Sequence, residues 1–376
     1  MEEKPFLSVN RRLESMLIES LELENFRNYQ NLIIHFDAKT NILYGDNAQG
    51  KTNILEAIYL SGTAKSHKGS KDREMIQFHK EEAHIKLKVK KSELSYRIDI
   101  HLKKQKPKGI AINGIPIKKA SELFGIVNLI FFSPEDLNLI KNGPAERRKF
   151  LDMELCQLNK IYVHYLVNYN KALMQRNQLL KNLETRPEFM ETLDIWDMQL
   201  IQYGKKLMEQ RTHFLKELNV IIYEIHKKLS GNREELHIRY EPDVSLDEFE
   251  TAVKKARERD IRFRTTNVGP HRDDISFLIG DVDIRKFGSQ GQQRTSALSL
   301  KLAEIEIVKQ MIGDMPILLL DDVLSELDSH RQNQLLNSLD QIQTIITCTG
   351  LEEFIANRFE INRTYHIING AIGGKT

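Results

Sequence analysis

At 376 residues, 40% hydrophobic and 29% charged, the chain has enough apolar material for real cores and enough charge for a soluble surface, and its length suggests two lobes. No run reaches the roughly 18 to 20 apolar residues of a membrane helix and the N-terminus lacks a signal-peptide stretch, so a cytoplasmic protein with no membrane partner is expected. The two cysteines, Cys156 and Cys348, lack the spacing of a zinc site or a disulfide framework and read as buried, inert thiols.

In chain order, residues 1–15 form an N-terminal extension ahead of Met16. Alternation predicts strands over Met16–Leu21 and Asn31–Phe36, then a third over Thr40–Tyr44 that runs into a glycine loop and the helix opening at Asn53. His84–Val89, Ser95–Leu102 and Ile110–Ile117 read as half-buried antiparallel strands, with Lys86, Lys88 and Lys90 on one face. The net charge of +2 hides the asymmetry here: residues 85–119 carry eleven Lys or Arg against two acids. Such a patch attracts phosphate backbones, so Lys86, Lys88, Lys90, Lys103, Lys104 and Lys106 are candidate DNA contacts; a solvated sheet face is the plainer alternative.

After Gly143-Pro144 the apolar spacing becomes helical, with Leu151, Leu155, Leu158, Tyr162, Tyr165, Tyr169 and Leu173 on one stripe and a second stripe from Leu207 to Leu229. Strand signals return at Glu235–Tyr240 and Ile275–Ile279, before a glycine-glutamine loop, a helix over Ser296–Ile312 and a buried strand. The expected division is an α/β ATPase lobe of residues 16–142 and 264–376 with a helical lobe of residues 143–263 between.

Three motifs carry chemistry. Gly45-Asp46-Asn47-Ala48-Gln49-Gly50-Lys51-Thr52 spells a phosphate loop between strand and helix: backbone N–H groups wrap phosphates, Lys51 reaches the β/γ oxygens and the Thr52 hydroxyl ligates magnesium. Met315–Leu320 is an apolar strand delivering Asp321, to hold magnesium, and Asp322, to polarise attacking water. Ser289-Gln290-Gly291, in a small loop before a helix, can receive a phosphate, although alone it reads only as a flexible loop.

In this order the three resemble the ABC ATPase superfamily, and Ser325-Glu326-Leu327-Asp328 resembles its D-loop. Leu23-Glu24-Asn25-Phe26-Arg27-Asn28-Tyr29, Phe132-Ser133-Pro134-Glu135-Asp136-Leu137, Gly269-Pro270-His271-Arg272-Asp273-Asp274 and Ser289-Gln290-Gly291-Gln292-Gln293-Arg294 are similar to the RecF family of bacterial DNA-repair ATPases. The resemblance implies an SMC-like head (a phosphate-loop sheet with an antiparallel β subdomain) plus a helical second lobe, with ATP and Mg2+ as cofactors. It also implies an ATP-dependent homodimer in which Ser289 and Gly291, with Gln290 between them as a further nucleotide contact, act in trans on ATP held in cis by Gly45, Lys51, Thr52 and Asp321. Arg27 would lie near the base or phosphates, unless it is merely solvated. Double-stranded and gapped DNA, RecR with RecO, and RecA loading are the implied partners and task.

Departures from transporter ATPases predict slow turnover. Cys348 and Thr349 follow the last buried strand where transporters place a histidine, no glutamine occurs between Gln105 and Gln157, and Asp322 is a methylene shorter than their glutamate. The 238 residues from Lys51 to Ser289 also argue against the alternative of a transporter nucleotide-binding subunit. His271 with Arg272 invites a catalytic story, but a hydrogen-bonded structural histidine is the favoured reading.

Overall fold

The structure, a computed structural model, describes residues 16–183, 188, 190–339, 341–351 and 360–373, so the expected extension 1–15 lies outside it. The chain runs through β1 (Met16–Phe26), β2 (Tyr29–His35), β3 (Thr40–Tyr44), α1 (Lys51–Thr63), α2 (Asp72–Met75), β4 (Glu82–Lys91), β5 (Leu94–Lys103), β6 (Lys106–Ile112), β7 (Ile115–Pro116) and β8 (Leu129–Phe132). Next come α3 (Leu137–Lys141), α4 (Pro144–Leu158), α5 (Lys160–Asn182), α6 (Met190–Leu229), β9 (Leu236–Glu241), α7 (Phe249–Phe263), β10 (Asp274–Ile279), β11 (Val282–Asp283), α8 (Ile284–Phe287) and α9 (Gln290–Ile312). The last elements are β12 (Ile317–Asp321), α10 (Ser329–Asn337), β13 (Thr344–Cys348), β14 (Arg363–Ile368) and β15 (Ala371–Ile372).

Two compact units result, one comprising the chain up to Asp136 and from Glu304 onward, the other Leu137–Ala303. The second is wider than the 143–263 read from helical periodicity. Its extra residues include β10 and β11, which pair with β9 in a three-stranded sheet, while β9 packs on α6 and β10 on α4. Helical spacing cannot reveal that these strands fold with the helices rather than with the nucleotide loop.

In the first unit a six-stranded antiparallel sheet, ordered β2-β1-β4-β5-β6-β7, and a second sheet, ordered β15-β14-β3-β13-β12-β8, share one apolar core. Helix α1 contributes Ile54, Leu55, Ala57, Ile58 and Leu60 to that core and contacts both sheets. The second sheet is parallel from β14 through β8, and its inner strands β12 and β13 are buried on both faces and read as the continuous apolar runs Ile317–Leu320 and Ile345–Ile346. The expected strand Ile110–Ile117 is instead the hairpin of β6 and β7, because Asn113 and Gly114 both take positive φ (52° and 82°) and turn the chain back. Likewise the single helical stripe after residue 144 is two helices. Asn159 is extended, and its side chain caps α5 by accepting from the Ile161 and Tyr162 amides.

The second unit is organised around buried guanidinium groups. Arg211 of α6 donates to Asp273 (2.9 Å), Asp152 (2.8 Å), the Pro270 carbonyl (2.7 Å) and the Tyr162 hydroxyl (3.1 Å), and Tyr240 also bonds Asp273. Arg176 similarly joins α5 to Asp197 and Asp260. His271 accepts this company as a structural residue: its Nδ1 lies 2.6 Å from the Tyr169 hydroxyl, its Nε2 3.2 Å from the Thr266 carbonyl, and burial lowers its pKa from the ordinary 6.5 toward the neutral form. Replacing Arg211 by alanine strands the Asp273 carboxylate in the interior, so urea unfolding should show a loss of about 3 to 5 kcal/mol for this unit. A midpoint unchanged from wild type would show that the network contributes nothing to stability.

Candidate nucleotide-binding site

Parallel pairing brings the C-terminal ends of β3 and β12 to one edge of the sheet with β13 between them: Thr347 registers with Asp321 on one side and Leu43 on the other. Ligands of parallel sheets bind beyond this edge. Beyond β3 the chain turns at Gly45, whose φ of +143° suits glycine and where a Cβ would lie 2.5 Å from the Ile367 carbonyl oxygen. The loop closes at Gly50, φ +113°, the N-cap of α1.

Neighbouring turns brace this loop. Asn28 donates to the Gln49 carbonyl (2.9 Å), the Tyr29 hydroxyl to the Gly50 carbonyl (3.1 Å), and the Asn369 amide to the Gln49 side chain (2.6 Å). Lys51, 7% exposed, arches over the loop, its Nζ donating to the carbonyls of Gly45 (2.6 Å) and Asp46 (2.8 Å). Burial lowers the lysine's pKa, while Asp322, Cys348, Asp321 and Asp46 pull it back up.

Asp321 is held by two hydroxyls: Thr52 Oγ1 donates to its Oδ1 at 2.8 Å and Thr347 Oγ1 to the same oxygen at 2.7 Å. A hydroxyl and a carboxylate at this separation are hard oxygen donors that fit magnesium rather than a softer ion. Asp322 takes φ +54°, a left-handed conformation costing roughly 1 kcal/mol in a non-glycine residue. Its amide donates to Thr347 Oγ1 (3.0 Å) and its carbonyl accepts from Ser325 (2.9 Å), which fixes the bend. Desolvation raises the Asp322 pKa from its ordinary value, with Asp321 and Glu326 adding to the rise and Lys51 opposing it. Thr347 went unnoticed in the sequence because only its lateral position between β3 and β12 gives it these contacts.

In the second unit Ser289, Gln290 and Gly291 are exposed at the start of α9. The helix begins at Gln290, not at the expected Ser296, because Ser289-Gln290-Gly291-Gln292 forms a reciprocal cap: the Gln292 amide donates to Ser289 Oγ (3.2 Å) and the Ser289 amide to Gln292 Oε1 (2.9 Å). Glycine at the second helical position had made the segment read as loop.

Arg27 is engaged within its own unit. Its Nε and Nη2 fork onto Glu56 at 2.8 and 2.7 Å, Nη2 also donates to Ser70 (2.7 Å), and Nη1 donates to the Glu74 carbonyl (2.8 Å). The fork ties the turn carrying Asn28 to α1. The lysine-rich strands are less basic than the linear count implies. Lys86 pairs with Glu22 (2.5 Å), Lys103 with Glu82 (3.5 Å) and Lys104 with Glu81 (2.8 Å), acids lying outside residues 85–119. Lys88, Lys90 and Lys106 make no ion pair with the described residues, and Lys88 and Lys90 lie on one face of β4.

Fold and loops together define an ATPase head of the SMC type. The sequence matches the RecF/RecN/SMC N terminal domain family over residues 17–370. The DNA replication and repair protein RecF of Lachnoclostridium phytofermentans is 62% identical over 95% of this chain and 99% of its own length, and that of Clostridium perfringens 46% identical over the same shares. The recombination mediator protein RecF of the RecFOR pathway, solved with ATP, superposes with a TM-score of 0.91 at 33% identity over 98% of this chain and 100% of that one. The Smc head of Pyrococcus furiosus shares the fold, with a TM-score of 0.55 at 16% identity over 95% of both chains. The chain belongs to the RecF family of DNA replication and repair proteins.

The Glu56 fork supplies a pH test. Hydrogen bonds and charge from Arg27, with help from Ser66, outweigh the opposing desolvation and lower the Glu56 pKa below its ordinary 4.5. A depressed carboxylate adds stability that is present above the unfolded-state pKa and is lost as pH falls through the folded one. Glu56→Gln should therefore destabilise by about 2 kcal/mol at pH 7, below the range for fully buried pairs because Arg27 reaches solvent, and the deficit should shrink below about pH 4. Thermal melts across pH that show a constant deficit would assign the loss to packing instead.

Proposed function

We propose that the chain binds ATP and magnesium between the Gly45–Thr52 loop of one copy and the Ser289–Gly291 loop of a second, so that ATP drives a symmetric homodimer. The dimer holds double-stranded DNA near single-strand gaps and, with RecR and RecO, promotes RecA loading. Slow hydrolysis returns it to the unpaired form.

The observation that carries this reading is the convergence of Lys51, Thr52, Asp321 and Asp322 at one sheet edge. Exposure of Ser289 and Gly291 at a helix N-terminus supports the second half-site, since the positive end of a helix dipole favours a phosphate. The likeness to a recombination mediator solved with ATP supports the nucleotide and the pathway.

Lys51 would exchange its two loop carbonyls for the β- and γ-phosphate oxygens, a trade favoured by opposite charge in a desolvated site. Thr52 and Asp321 would hold magnesium, which neutralises phosphate charge when bound. Asp322, whose carboxyl desolvation pushes above its ordinary value, would orient and deprotonate the attacking water. Cys348 stands at the end of β13, a thiol in place of an imidazole, so this chain has less machinery for positioning that water, which accords with a switch rather than a fast catalyst.

Exposed Lys88 and Lys106, with Lys90, are the members of the basic strands best able to exchange counterions for DNA phosphates; Lys86, Lys103 and Lys104 would first have to leave their carboxylates. Sedimentation tests both halves of the proposal. Wild type should gain mass with ATP and again with duplex DNA, and Lys51→Met should do neither. Lys88→Glu combined with Lys90→Glu should dimerise normally yet bind DNA about tenfold more weakly at low salt with a flatter salt slope. Assembly indifferent to ATP would overturn the switch, and unchanged DNA affinity would remove β4 from the DNA path.

A further inference from the structure

On the antiparallel sheet His84 of β4 stands directly across from His101 of β5, with Glu82 two residues before His84 on the same face. The two imidazoles stack, centroids 4.0 Å apart and planes 24° from parallel. Both Nε2 atoms converge on the Glu82 carboxylate, His101 Nε2 at 2.9 Å from Oε2 and His84 Nε2 at 3.9 Å from Oε1. Among the described residues this is the one group of three His, Cys, Asp or Glu side chains whose ligand atoms approach so closely, all within 4.8 Å of one another.

We propose that Glu82, His84 and His101 form a surface site for a late first-row divalent metal ion of the zinc class. Two ligand atoms each about 2.0 to 2.1 Å from a tetrahedral zinc lie about 3.4 Å apart, and the His101 and His84 nitrogens stand 2.9 and 3.9 Å from the two oxygens of Glu82, all three ligand atoms lying within 4.8 Å of one another. Turning the two stacked imidazoles so that each aims a nitrogen at a common point would complete the geometry, on a sheet whose register already fixes the three Cβ positions. Two imidazole nitrogens and one carboxylate select zinc, nickel or copper over magnesium or calcium, which prefer all-oxygen shells. Gly109, which pairs with His101 on β6, places no side chain beside it, and both histidines line a concavity of about 730 Å³ with room for a water or a further ligand.

The cation that competes for the site is also visible. Lys103 lies 3.5 Å from Glu82 and shares its carboxylate with His101. Metal binding would transfer Glu82 from Lys103 to the ion, joining β4 to β5 without involving Lys51 or Asp321.

Calorimetric titration of the full chain, its affinity tag removed, with zinc alone provides the test. Saturable 1:1 binding is expected, undiminished by millimolar magnesium. His84→Asn combined with His101→Asn should weaken it about tenfold or more, and Lys103→Met should tighten it by removing the competitor. Co2+ substitution should give the visible absorption of a low-coordinate site in wild type and not in the double variant. Absence of saturable zinc binding, or binding unchanged in the double variant, would overturn the proposal; the Lys103→Met comparison decides the matter even if the double variant folds poorly.

Discussion

Asp321 receives two hydroxyl hydrogen bonds on a single carboxylate oxygen, from Thr52 at the head of α1 and from Thr347 in the neighbouring strand. Three separate stretches of chain meet at that atom. Their meeting depends on the parallel order β3-β13-β12, which aligns the strand ends so that a loop, a hydroxyl and an acid pair come to one edge. The left-handed bend at Asp322 follows from the same row, because Thr347 receives the Asp322 amide while donating to Asp321. Local strain here is held by the sheet's core, where Leu319 and Ile345 are fully buried.

The other half of the proposed site obeys a different constraint. Ser289 spends its side-chain oxygen on the Gln292 amide, so it caps its helix before it meets any phosphate. Gly291, exposed at the second helical position, adds no side chain beside that cap.

Much of this was legible in the residues. The phosphate loop and the acid pair are short, contiguous and bounded by apolar strands, so Gly45–Thr52 and Asp321-Asp322 could be read in place. Features formed by lateral neighbours could not. Thr347 is an ordinary strand threonine until β13 is inserted between β3 and β12, and the acids that pair with Lys86, Lys103 and Lys104 come from β1, β4 and the turn before it. The reciprocal Ser289–Gln292 cap was present in the spelling but hidden by a glycine taken as a loop signal. The wide second unit escaped because β9, β10 and β11 pair among themselves, a fact carried by long-range register rather than by helical period.

The central claim, a nucleotide shared between unlike loops of two copies, is tested most directly by mixing two defective variants. Lys51→Met and Ser289→Arg should each be inactive in ATP turnover. Together they should recover activity, since a mixed pair contains one intact composite site, about a quarter of wild-type sites if copies pair at random. A mixture no more active than its separate components, or a Ser289→Arg protein with wild-type turnover on its own, would contradict the account.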